Sequence, residues 1–166
     1  YQTNYRAYVQ YQGRSVAWFF GTFLGSRWVF IPRTIWGMPW YYSKNEHQTT
    51  WDKGRCVSYR WKAKSKVGIE CLEIEGTGQP MGVLDGFSDE ETCWDILTNP
   101  FEGYLWQRKK RVGHYAVWHK PLLMERAKVH KARFTKWEDL GLIHVEQAPH
   151  SVLVQSAIHY LISLPP

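Results

Sequence analysis

The sequence has no long hydrophobic run. Its longest near-apolar stretch, Val16 to Gly25, is ten residues with Thr22 inside it, against the roughly 20 that a helix needs to cross a bilayer. A transmembrane helix is excluded. Cysteine is scarce and odd in number, and Cys56, Cys71 and Cys93 form no C-x-x-C pair. A disulfide framework is therefore not expected, and the thiols read as buried and reduced. The expected location is an intracellular, reducing compartment, either the cytoplasm or an organelle interior. The chain opens on Tyr1 with no initiator Met and no signal-like start. It is read as a candidate segment of a longer polypeptide, so the missing targeting sequence carries no information. Internal repeats and low-complexity segments are absent as well.

The gaps extend to chemistry. Among seven His there is no H-E-x-x-H pattern and no Cys-His cluster, the spacings a metal site needs. His114 and His119 stand five apart on an expected strand, where odd separations face opposite ways, which makes them poor co-ligands. His144 and His150 fall in loop-like sequence. Neither G-x-S-x-G nor a Walker loop occurs, and the glycines around Gly78 precede no Lys-Ser or Lys-Thr. Glu70, Glu73 and Glu75 cluster on one expected strand, with Glu73 and Glu75 on one face. Such a pair can do acid/base work, but nothing nearby desolvates it, so it reads as a solvated face. No metal and no cofactor are expected.

What the chain does have is aromatic surface. Ten Trp and ten Tyr, each ring burying roughly 150–250 Å², supply a core and exclude disorder as the main state. A length of 166 residues fits one domain. The net charge of +6 favours anionic partners without naming one. Its location says more, because ten of the 21 basic residues lie between Arg108 and Lys136, opposed only by Glu125. Arg108, Lys109, Lys110, Arg111, Lys128, Lys131 and Arg133 are the candidate anion or partner surface. Trp106, Tyr115, Trp118, Phe134 and Trp137 interleave with the stretch, a composition suited to nucleic acid. No RRM aromatic motif or KH loop accompanies it, so a solvated or protein-facing surface is preferred.

Tyr5 to Gln12 and Ser15 to Phe20 read as paired strands turned at Gly13-Arg14. Ser26 to Gly37 has helical spacing, with Ser26 as N-cap, Gly37 as stop, and Pro32 confining the helix to short turns. Trp40 to Lys44, His47 to Trp51 and Cys56 to Lys62 read as a meander whose last pair turns at Asp52-Lys53-Gly54. Gly68 to Glu75 is a strand, and Gly76 to Gly86, full of Gly and Pro, a loop. Ser88-Asp89-Glu90-Glu91 is a capping box opening a helix to Leu97, with Cys93 and Trp94 also inward and Pro100 closing it. Phe101 to Arg108 and Val112 to Trp118 form a hairpin turned at Lys109-Lys110-Arg111. Thr135 to Glu138 repeats the capping box ahead of Gly141, and Val152 to Ile162 is a closing strand. The class is α+β, mainly antiparallel, with a sheet closed or curved around a core and two or three short helices.

At Tyr5-Arg6-Ala7-Tyr8-Val9, Gly13-Arg14-Ser15, Trp18-Phe19-Phe20 and above all Trp36-Gly37-Met38-Pro39-Trp40-Tyr41-Tyr42, the chain resembles the YqjF-like family DUF2071. The similarity returns at Gly103-Tyr104-Leu105-Trp106, at Trp118-His119-Lys120-Pro121, which looks like that family's His-His-Pro-Pro-Trp segment, and near His150-Ser151. It covers 1–166 as one domain, with the family's upstream stretch of Trp-Pro and Asp-Pro elements missing. The resemblance implies a β-barrel or cone like the acetoacetate decarboxylase superfamily. There a Gly-x-Pro-Lys-Lys motif supplies the Schiff-base lysine. Gly37, Pro39, Trp40 and Tyr41 match it here, and aromatics replace both lysines, so acetoacetate decarboxylation is not expected and a non-enzymatic role is favoured. The implied site is a pocket lined by Trp40 and Tyr42 with Trp18, Tyr104, Trp106 and His119, and Arg6 as the available cation. Lys44, two residues beyond Tyr42, reads as an ordinary solvated lysine.

The expected function is thus binding of a small organic molecule in a barrel interior. Its rivals are an accessory subunit of a larger assembly with protein partners and a nucleic-acid surface on 108–136.

Overall fold

Alternation of bulky apolar and polar side chains drives most of the chain into strands. The computed structural model describes residues 2–66, 68–98, 102–107, 111–120, 122–145, 147–156 and 159–163. Among them the strands are β1 (Gln2–Tyr11), β2 (Arg14–Leu24), β3 (Trp40–Tyr42), β4 (Lys44–Asp52), β5 (Arg55–Ser65), β6 (Gly68–Pro80), β7 (Glu102–Gln107), β8 (Arg111–His119), β9 (Glu125–Arg133), β10 (Leu153–Val154) and β11 (Tyr160–Ile162). The helices are α1 (Phe30–Ile35), α2 (Glu90–Leu97) and α3 (Thr135–Asp139). The fold is mostly antiparallel β with a strongly curled, half-barrel sheet, in line with the strand-rich sequence. Two compact units divide it. One comprises Tyr1–Tyr42, Phe87–Pro121 and His159–Pro166, the other Ser43–Gly86 and Leu122–Ile158.

In the first unit the strand order is β1-β2-β7-β8-β11, with β3 also on β2. The β1–β2 turn is Gln12-Gly13, both at positive φ (51° and 75°), closed by the Tyr11–Arg14 pair. It thus starts one residue before the expected Gly13-Arg14, because two left-handed residues match the twist of a tight hairpin. The free edge of β2 is shared by two parallel partners, β7 along Ala17–Phe19 and β3 along Thr22–Leu24. Between them lies a bulge, where Tyr5 pairs Gly21 but Arg6 pairs Phe19. Ala17, Phe19, Met38 and Leu105 form the core, with Trp40 and Tyr115 packed on it.

Ser26 caps the turn as expected, its hydroxyl accepting from the Trp28 N–H at 3.2 Å. Pro32 limits the helix to a 3₁₀ turn (Arg27–Val29) and α1. Of the apolar face expected there, Val29 is buried while Trp28, Ile35 and Trp36 are exposed. Helix α2 buries Cys93 and leaves Trp94 and Leu97 half-buried, but its cap is Asp89, not Ser88. The Asp89 carboxylate accepts from the Thr92 N–H at 2.7 Å, and the Ser88 hydroxyl donates to the same carboxylate at 2.6 Å. A charged acceptor outcompetes a hydroxyl for that N–H.

The Ser88 hydroxyl first, then the Thr92 N–H, hold the Asp89 carboxyl below its ordinary 3.8. A depressed folded value means that the stabilisation is present above the unfolded value and is lost as pH falls through the folded one. Asp89→Asn keeps a capping oxygen without the charge. Its melting midpoint is expected to fall less steeply than that of the unsubstituted protein below about pH 4, as acid melts followed by circular dichroism would show.

Strands β7 and β8 form the expected hairpin, with Gln107 opposite Arg111. Arg108, Lys109 and Lys110 lie outside the described residues, as do Pro100, Phe101 and Pro121.

The second unit is an antiparallel sheet in the order β10-β9-β6-β5-β4. The expected meander from Trp40 is corrected: β3 joins the first unit, Ser43 breaks the run, and β4 starts the second unit's sheet at Lys44. Lys44 is solvated, its side chain 72% exposed and 3.7 Å from Glu46. The β4–β5 turn is Lys53-Gly54, at φ 47° and 82°. The expected loop from Gly76 is strand as far as Pro80, because β9 pairs alongside it as far as Glu125. Strand β9 itself was not anticipated. The closing strand splits, β10 pairing β9 in this unit and β11 pairing β8 in the first.

Helix α3 has no cap from its own sequence. Glu70, only 1% exposed, reaches it from β6: its Oε1 accepts from the Lys136 N–H at 3.0 Å and the Thr135 hydroxyl at 3.4 Å. Glu70 is therefore not part of a solvated face. Glu73 and Glu75 are surface groups, Glu73 paired with Arg60 at 3.8 Å and Glu75 with His130 at 3.2 Å.

Candidate functional site

Strand β5 alternates charge with apolar bulk: Arg60, Lys62 and Lys64 point one way, Trp61 and Ala63 the other. Trp61 and Ala63 are buried at 5% and 1% exposure, which leaves the charged residues on the open face. Pairing extends that face across the sheet. One register row is Glu46, Lys62, Cys71 and Arg133; the next is Gln48, Arg60, Glu73 and Lys131. Over these rows lies a groove of about 780 Å³, with Ile69 at its margin, within the roughly 300–1,000 Å³ typical of small-ligand sites.

The groove is lined by four cations and two carboxylates, a net charge of +2 with His47 neutral. Arg60 is held by Glu73 at 3.8 Å and Arg133 by Glu138 at 3.5 Å. Lys62 and Lys131 have no carboxylate partner among the described residues. They stand on strands either side of β6 in adjacent rows, two strand spacings across the sheet and two residues along it, hence about 12 Å apart. The Tyr59 hydroxyl and His47 Nδ1 are 3.2 Å apart, and burial lowers the His47 pKa from its ordinary 6.5. Neutral imidazole there leaves the ammonium groups as the dominant charge. Among the described residues no group of three or more His, Cys, Asp or Glu could hold a metal ion.

Most of the residues singled out from the sequence fall elsewhere. Lys131 and Arg133 lie in the groove, Lys128 is cross-strand from Glu75 on β6, and Arg111 is exposed at the start of β8. The aromatic set lies in the first unit and is divided by its sheet. Trp40 packs on the core face with Phe19 and Tyr115. Arg6 shares that face through its pair with Phe19, its guanidinium 5.1 Å above the Tyr8 ring. Burial raises the Tyr115 phenol well above its ordinary 10, with Arg6 opposing the shift. Tyr42 is 45% exposed at the end of β3, and His119, at the end of β8, has Nδ1 2.8 Å from the Lys120 carbonyl.

Trp18, Tyr104 and Trp106 occupy the opposite face. Trp18 meets Trp106 edge-on at 5.6 Å, while Tyr104 lies 4.8 Å from His114 and donates to Glu102 at 3.2 Å. The bulge at Phe19–Gly21 reverses the alternation along β2 and so puts Trp40 and Trp18 on different sides.

Glu46, Arg60, Lys62 and Cys71 were not anticipated as site residues. The alternation along β5 was a usable signal; the juxtaposition with β9 has none in local sequence.

A family model described as uncharacterized conserved protein, DUF2071, matches residues 1–159 and so runs through both units. No curated protein and no solved structure matches the chain.

Proposed function

This chain belongs to the DUF2071 family, and from that premise we propose that it is a binding protein for a small organic anion, held in the groove of the second unit. The observation that carries the reading is the pair Lys62 and Lys131, two ammonium groups that line a ligand-sized groove and have no carboxylate partner among the described residues. An anion there supplies the charge partner that the sheet withholds, at an exposed surface where the effective dielectric is still below that of bulk water. Glu46 and Glu73 disfavour a continuous polyanion and favour a compact ligand. A separation of about 12 Å between their positions on the sheet suits a molecule with anionic groups at both ends. The reading keeps as proposals the acetoacetate decarboxylase-like shape and the single family domain; Trp40 and Tyr41 in place of the motif lysines leave no Schiff-base chemistry to assign.

Calorimetric titration with a panel of aliphatic and aromatic mono- and dicarboxylates tests it. Dicarboxylates are expected to bind, their dimethyl esters not, and Lys62→Gln and Lys131→Gln each to weaken binding by about tenfold, the scale of one charge-assisted contact. Binding that ignores both substitutions, or no binding across the panel, would sink the reading. Salt-steep binding to RNA in place of the carboxylates would transfer the groove to nucleic acid.

A further inference from the structure

We propose that the apolar turn between β2 and β3 docks on a membrane surface containing anionic phospholipid. Trp28 is 71% exposed, Phe30 57%, Ile35 66% and Trp36 38%. A single exposed apolar residue is ordinary, whereas several large ones on one short segment mark an interaction surface. The turn is built to present them. Val29, 7% exposed, anchors it inward, the Ser26 hydroxyl caps it, and the Trp36 and Met38 N–H groups both donate to the Pro32 carbonyl, at 3.1 and 3.3 Å. The Trp28 and Phe30 rings stack with centroids 6.2 Å apart.

Charge selects the occupant. Arg27 and Arg33 flank the rings and are exposed, and from Tyr1 to Asn45 the sequence contains no Asp or Glu. Among the described residues neither Arg27 nor Arg33 has a carboxylate partner, so this turn offers uncompensated cations to an anionic surface. A headgroup layer complements both features, since indole and phenyl rings settle at the acyl boundary and guanidinium groups meet phosphates. The turn belongs to the first unit and the groove to the second.

The test is co-sedimentation of the full chain with vesicles of phosphatidylcholine plus phosphatidylserine, and with phosphatidylcholine alone. Two cations at the surface predict partition roughly tenfold or more stronger onto the anionic vesicles, weakening as salt shortens the screening length. The double substitution Trp28→Ser with Phe30→Ser, at exposed positions, is expected to reduce partition by about tenfold or more through lost apolar burial, with an unchanged melting midpoint. Lys62→Gln with Lys131→Gln should leave partition intact. No partition, equal partition onto both vesicles, or partition lost with the lysines and kept without the rings overturns the proposal. So does self-association by sedimentation velocity that the double substitution abolishes, which assigns the patch to a second copy of the chain.

Discussion

Gly76→Ala is expected to destabilise the protein by about 3 kcal/mol, the upper range for forcing atoms into a filled space. The register of β6 with β5 ends at Glu75 opposite Ser58, and the next residue, Gly76, pairs with Ala127 of β9. At that point the Cys56 carbonyl lies where a β-carbon on Gly76 would stand. The obstacle is backbone held in a strand, which cannot rotate aside as a side chain does. Gly76 is not among the glycines at positive φ, so the cost is steric, not conformational. Gly54→Ala gives the contrast: φ there is +82° with nothing within 4 Å of the added carbon, and only the left-handed penalty of about 1–2 kcal/mol applies. Urea unfolding of both variants with an unchanged slope checks this. Equal losses would show that the carbonyl yields.

The second large effect is expected at Glu70. Removing its carboxylate by Glu70→Ala leaves the Lys136 amide in the first turn of α3 without its acceptor, at a cost of about 2–3 kcal/mol, the range for hydrogen bonds to a charged group and for orphaned buried donors. Glu70→Gln keeps an oxygen where Oε1 meets the Lys136 N–H at 3.0 Å and is expected to lose less than half as much. Hydrogen exchange supplies the local readout: the Lys136 amide should exchange faster in Glu70→Ala and near its normal rate in Glu70→Gln. Two variants equally destabilised, with equal exchange, would mean that packing of the Glu70 stem and not the cap is at stake.

These two residues also show why the sequence was legible only in part. Turns at Gln12-Gly13 and Lys53-Gly54, the cap at Ser26 and the burial of Cys93 follow from chemistry within a few residues. Helix α3 stands where the Thr135–Glu138 pattern put it, but its cap does not follow from that pattern, because the acceptor comes from β6. Strand β9 reads Glu-Arg-Ala-Lys-Val-His-Lys-Ala-Arg, mostly helix formers, and becomes a strand because β6 offers a full partner edge, an example of tertiary context overriding propensity. The groove inherits the same blindness. Its Lys62 side is written in the alternation of β5, and its Lys131 side depends on a pairing far along the chain. The aromatic grouping around Trp40 came from the family resemblance, and one inserted residue in β2 puts Trp18 on the other face.

The way the two units share the chain governs how the molecule can be made. The first is assembled from three stretches of sequence and the second from two, taken in alternation. During vectorial synthesis β8 therefore emerges well before its partner β11, and β6 before β9. Each unit must wait, partly paired and with open edges, until a later segment of the other has left the ribosome. No single cut divides the chain into two self-sufficient fragments, and a nascent chain stalled before β9 exposes one whole edge of β6 as a template for other strands. Such a protein should complete both sheets late and nearly together, and depend on chaperone protection during elongation more than its modest length suggests.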